Sequence, residues 1–118
     1  MTTTIPFDSE HISNIITGKK TLTVRYRWDD RRLPQRGEKL EFVDSGNSVK
    51  FADAYTTSVH SMEVWEFASQ EWDGHRNYDN AYEMCKHLEY YYPNKKFYPK
   101  DSIDVIEWGS VKPIKHES

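Results

Sequence analysis

The sequence changes its period abruptly at Gly18. Before it, Ile12, Ile15 and Ile16 fall at the i, i+3, i+4 spacing of one helix face, and the glycine stands where a helix would stop. After it, Leu22, Val24 and Tyr26 alternate with Thr21, Thr23, Arg25 and Arg27, as in a strand with one apolar and one polar face. A helix and a strand are thus joined by one tight turn, and that turn carries Lys19 and Lys20.

The rest of the chain continues the mixture. Ile5-Pro6-Phe7 reads as a short opening strand, and Asp8 or Ser9 caps the first helix. Residues 28–36 form a polar loop. Gly37 opens a second strand, in which Leu40 and Phe42 alternate with Lys39 and Glu41, and the turn cluster at 44–48 makes a hairpin with a third strand at 49–59. Imperfect alternation in that third strand predicts a bulge. Val64, Phe67, Ala68 and Trp72 have helical spacing, broken at Asp73-Gly74-His75. A further helix from about Asp79 puts Ala81, Met84, Cys85, Leu88 and Tyr92 on one stripe, and Pro93 ends it. The last strand, 103–108, has apolar residues on both faces, which suits a central or barrel-forming position. Residues 112–118 read as a polar tail. The sum is α+β: a small, curled, mixed or antiparallel sheet with two or three helices on it.

At 118 residues the chain suits one domain, expected to span 1–118 with its core at about 5–108. Aromatic residues make up 14% of it, so tyrosine and tryptophan must supply much of the burial. Cys85 is the single cysteine. It excludes an internal disulfide or a multi-thiolate zinc site and points to a reducing compartment, the cytoplasm. No apolar run is long enough to cross a bilayer, and residues 1–7 lack the layout of a secretory signal. His11, His60, His75, His87 and His116 show no metal-binding spacing, so neither a metal nor another cofactor is expected. The net charge is −3, yet seven basic residues against two aspartates crowd into residues 19–36. A cationic stripe on an acidic chain suits phosphate or another anion, or is simply a solvated loop.

The stretch Gly18-Lys19-Lys20-Thr21-Leu22-Thr23-Val24-Arg25 is the one best suited to chemistry. It can offer cations and backbone N–H groups to an anion, or a hydroxyl nucleophile with its activator. Thr23 and Arg25 share a strand face. Lys20 joins them only if the chain is still bending where the strand begins; otherwise it is a solvated lysine beside surface threonines. Single-stranded RNA is held by cations next to stacking aromatics. Tyr26, Trp28 and the arginines of 25–36 offer both, as do Trp65, Trp72, His75, Arg76 and Tyr78. Of these, Trp72 and Tyr78 read as core, and His75 as an exposed loop residue suited to acid–base work. His87, mid-helix, reads as structural. Tyr90-Tyr91-Tyr92 is either a protein-contact patch or a helix end with two rings turned to the sheet.

The run from Ile12 to Arg25 resembles the signature of the ASCH family: an isoleucine-rich helix, glycine, a basic residue, lysine, threonine, an apolar residue, threonine, an apolar residue and arginine. Gly37-Glu38-Lys39-Leu40, Asp73-Gly74, Tyr91-Tyr92-Pro93 and Val105-Ile106-Glu107-Trp108 are similar, in order, to later elements of that family. The resemblance implies a barrel of the pseudouridine-synthase-and-archaeosine-transglycosylase (PUA)-like class, acting on RNA or a nucleoside. It implies either an amidohydrolase that removes the acyl group from N4-acetylcytidine, or a ribonuclease or binding module for single-stranded RNA. The amidohydrolases use a lysine, a threonine and a glutamate together. By resemblance these fall on Lys20, Thr23 and Asp73, with Glu71 as the other candidate acid; aspartate is shorter by one methylene. Lys20, desolvated beside Arg25, would take the proton of Thr23, and Arg25 or backbone N–H groups would hold the oxyanion. Arg25, Tyr26, Arg27, Trp28, His75 and Arg76 would contact the nucleoside or RNA. The resemblance leaves the oligomeric state open.

Overall fold

The computed structural model describes residues 2–26 and 32–114. Strand β1 (Thr2–Phe7) runs through a 3-10 turn (Ser9–His11) into a short helix, α1 (Ile12–Ile16). Then come β2 (Leu22–Arg25), β3 (Lys39–Asp44) and β4 (Lys50–Glu63), helices α2 (Val64–Ala68) and α3 (Ala81–Tyr91), and finally β5 (Ser102–Pro113). The described strands make one sheet in the order β1-β3-β4-β5-β2. β1 runs parallel to β3, and the other pairs are antiparallel. The sheet curls into a half-barrel, so the chain is α+β, with a mixed sheet and flanking helices.

The curl has a local cause. The β3–β4 register shifts between Phe42 and Val43, and the β4–β5 register shifts twice, between Asp53 and Tyr55 and between Thr56 and Ser58. Each irregularity bends its strand and adds twist. This also explains the imperfect alternation of the third strand, which continues beyond its expected end at 59 to Glu63.

β5 buries both faces. Ile106 and Trp108 enter one core cluster with Ile5, Phe7, Ile15 and Phe42, while Ile103 and Val105 enter a second with Leu22, Phe67, Met84 and Leu88. In the first cluster the Phe42 ring meets Phe7 at 5.3 Å and Trp108 at 4.8 Å, both edge-on. Side chains of this size contribute about 1.5–3 kcal/mol each when buried.

Other boundaries also differ from the sequence reading. α2 stops at Ala68, because Trp72 folds back, stacks on Phe67 at 4.4 Å and donates its indole N–H to the Phe67 carbonyl. α3 starts after Asn80, whose side chain accepts the Glu83 N–H as an N-cap. β5 extends to Pro113, so Lys112 and Pro113 pair with β4 instead of belonging to a tail.

Candidate active site

β1 and β2 are the two ends of the strand order and do not pair with each other. A cavity of about 210 Å³ lies where they face one another. Phe7 lines it from β1, Thr23 and Arg25 from β2, and Lys20 from the turn before β2. His75 and Tyr78 line it from the loop after α2, and His87 and Tyr91 from α3.

The turn explains why Lys20 lines the same cavity as Thr23. Gly18 takes φ +82°, and the Lys20 N–H is still bonded to the Asn14 carbonyl of the helical segment at 2.9 Å. The regular strand starts only at Leu22. The chain is therefore still bending at Lys20, and the side-chain alternation of β2 does not yet apply to it.

Arg25 spans the seam. Its Nη2 donates to the Pro6 carbonyl at 2.8 Å, and its Nε donates to Thr23 Oγ1 at 3.3 Å. Its guanidinium carbon lies 5.2 Å from the centre of the Phe7 ring, and Lys20 Nζ lies 6.0 Å from the same centre. Two cations thus lie against one aromatic ring. Burial first, and Arg25 second, bring the Lys20 amine down to about 8. Among the described residues no carboxylate forms an ion pair with it.

That charge costs stability. The folded chain sheds the proton near pH 8, whereas the unfolded chain keeps it to about 10.5. The unfolded state binds more protons across that window, so this group makes stability rise from pH 8 to 10.5. Lys20→Met is expected to raise the unfolding free energy at pH 7 by about 1–2 kcal/mol, measured by urea titration. A lower midpoint would mean that the ammonium has a stabilising partner.

Three imidazoles reach the cavity from three separate segments: His11, His75 and His87. His75 is half-buried, with its ring edge-on to Phe67 at 5.3 Å, which corrects its reading as an exposed loop residue. Burial, then Lys20, push it down to about 3, so it is neutral at ordinary pH. His87 faces the cavity instead of serving only its helix. Its Nδ1 is hydrogen-bonded to the Tyr78 hydroxyl, and both it and His11 are pushed below the usual histidine value, chiefly by burial. Burial raises Tyr78 to about 12, so the phenol is the donor.

The loop holding His75 is tied to the start of β2. The Thr21 N–H donates to the Gly74 carbonyl at 2.8 Å, and the Thr21 carbonyl accepts the Trp108 N–H at 3.0 Å. No spacing rule signals the meeting of three distant histidines; the glycine that allows this approach is the one local hint.

Other expected site residues stand elsewhere. Asp73 and Glu71 are exposed and do not line the cavity, so the lysine–threonine–acid constellation is not assembled from them. The carboxylate at the cavity is Asp8, which accepts a hydrogen bond from Ser45 Oγ at 2.9 Å. Tyr26 turns into the core, edge-on to Tyr92 and Phe97. Arg76 sits at the outer mouth, paired with Glu83 at 3.0 Å. Arg32 is paired with Glu38 at 2.7 Å, away from the cavity. Arg27 and Trp28 lie outside the described residues. In the tyrosine run, Tyr92 packs inward, Tyr91 lines the cavity and Tyr90 is 76% exposed. Among the described residues no three His, Cys, Asp or Glu side chains stand close enough together to hold a metal ion, and no helix is long and apolar enough to cross a membrane.

No family model matches the sequence, and no curated protein matches it. Solved structures do. The ASCH protein from Zymomonas mobilis superposes with a TM-score of 0.68 at 15% identity, covering 95% of this chain and 69% of that one. The ASCH domain from Lactobacillus crispatus gives 0.62 at 13% identity, covering 91% and 77%. The chain has the ASCH fold. Protein EF3133 from Enterococcus faecalis is also similar, with a TM-score of 0.65 at 22% identity over 92% of this chain and 74% of its own. The seam between β1 and β2 is therefore set within an ASCH-type half-barrel.

Proposed function

We propose that the cavity is the active site of a hydrolase for an acylated nucleoside, with N4-acetylcytidine as the substrate that the ASCH resemblance names. What supports this reading is that Lys20, Thr23 and Arg25 line one hollow, with Arg25 Nε bonded to Thr23 Oγ1. Cys85, buried and unpaired, fits a reducing cytoplasmic setting.

The proposed chemistry starts from the Arg25–Thr23 contact and from Lys20 on the wall of the same cavity. The Thr23 hydroxyl accepts from Arg25 Nε, which leaves its own hydrogen free for a base. Neutral Lys20 takes that proton as the Thr23 oxygen bonds to the acetyl carbonyl carbon. Arg25 offsets the negative charge that develops beside Thr23. The tetrahedral adduct expels the cytosine amine, which leaves with the proton returned by Lys20. Water, deprotonated by Lys20 in turn, then attacks the threonine ester; the adduct collapses to acetate as Lys20 returns that proton to the departing Thr23 oxygen. Lys20 serves both steps, and no acid from residues 71–73 is required.

The test is release of cytidine and acetate from N4-acetylcytidine, followed by mass spectrometry. The base must be unprotonated, so kcat/KM is expected to rise about tenfold per pH unit below pH 8 and to level off above it. Lys20→Arg, charged at every accessible pH, is expected to be inactive. No turnover at any pH would sink the proposal.

A second reading, cleavage of single-stranded RNA, is favoured by the three imidazoles on the cavity. His75, neutral down to about pH 3, would serve only as a base there. Cleavage of an oligonucleotide without acetylcytidine turnover would select this reading.

A further inference from the structure

Beyond its reacting end the cavity opens into an outer hollow of about 470 Å³, which shares Lys20, His11, His75, His87 and Tyr91 with it. The outer hollow adds Lys19, Arg76, Asn14 and Glu10. Three cations thus line it with one carboxylate, Glu10, while Glu83 pairs with Arg76 from beside it, on a chain whose net charge is −3. Lys19 is exposed and, among the described residues, pairs with nothing. Arg76 is held in place by Glu83 at 3.0 Å and by the Tyr78 ring, 5.1 Å from its guanidinium carbon. Glu10 lies 3.6 Å from His11 Nε2.

The two hollows differ in character. The inner one presents mainly aromatic and aliphatic side chains around Lys20, Thr23 and Arg25; the outer one adds Lys19, Arg76 with its partner Glu83, and the Asn14 amide. A local excess of cations on an acidic protein draws and orients anions. From a base placed at Thr23, the wall shared by the two hollows offers its sugar a way out towards Lys19 and Arg76. Resting on the nucleoside reading above, we infer that the outer hollow takes the phosphate of a cytidine nucleotide, gripped by Lys19 and Arg76, so that the substrate class is the nucleotide and not the free nucleoside.

Binding tests this without any need for turnover. Cytidine, cytidine 5′-monophosphate and cytidine 3′-monophosphate would be titrated calorimetrically into the full chain at low and high salt. One of the two monophosphates is expected to bind at least about tenfold more tightly than cytidine, which is one decade in Kd. That advantage should shrink with added salt, and it should fall towards unity in a Lys19→Ala/Arg76→Ala double variant. Which ester wins identifies the hydroxyl that carries the phosphate. Equal affinities, no binding of any of the three, or a preference that survives the double substitution would each overturn the inference. Failure of acetylcytidine hydrolysis would remove the proposed reaction while leaving a phosphate preference measurable.

Discussion

Thr23→Val is expected to slow N4-acetylcytidine hydrolysis by about a thousandfold or more, the scale at which loss of a nucleophile registers. Valine keeps the volume of this buried side chain and removes only the oxygen. Arg25 then loses one acceptor but keeps its bond to the Pro6 carbonyl. The stability loss should therefore stay within about 2 kcal/mol, the cost of one unpaired donor. Thr23→Ser restores the hydroxyl and is expected to recover turnover to within about tenfold. Rates come from product release measured by mass spectrometry, and folding from urea midpoints. A valine variant slowed less than tenfold would exclude Thr23 as the attacking group and leave a water molecule activated by Lys20.

The second large effect concerns backbone packing. A Cβ added at Gly74 would lie 1.6 Å from Thr21 Oγ1, 2.8 Å from Thr21 Cβ and 3.0 Å from the Thr21 backbone nitrogen. Neither side can yield cheaply. The Gly74 carbonyl accepts the Thr21 N–H, and the Thr21 carbonyl accepts the Trp108 N–H. Gly74→Ala is expected to cost about 3 kcal/mol or more, at the upper end of overpacking effects. It should also depress turnover, since Thr21 lies between Lys20 and the strand bearing Thr23. Thr21→Gly in the alanine background is expected to restore much of the lost stability, as a denaturant-based double-mutant cycle would show. An alanine variant as stable as the parent would mean that the loop after α2 does not sit against β2.

Local periodicity exposed the parts of the fold that depend on local periodicity. The change at Gly18, the stripe of α3 and the two apolar faces of β5 all stand in the sequence because each is written over neighbouring residues. The parallel pairing of β1 with β3 is not written that way. It joins Thr2–Phe7 to Lys39–Asp44 across most of the first half of the chain, and no turn chemistry announces it. The end of α2 escaped for a different reason: Trp72 has helical spacing from Val64 yet earns its burial by stacking back on Phe67. At the site, the bend at Lys20 was posed as a condition and is met. The acid is supplied by resemblance through position alone, and the fold leaves Asp73 and Glu71 exposed and off the cavity wall. The histidine cluster is a product of topology alone, gathered from an early turn, a mid-chain loop and α3.

The reach of Arg25 to Pro6 has a further consequence. An incomplete barrel leaves raw strand margins, each able to template another chain. Here one margin contains Pro6, which has no N–H to offer, and the other is only four residues long. A guanidinium, not a ladder, bridges them. The gap thus admits a small guest to the reacting groups while giving a neighbouring molecule almost nothing to zip onto.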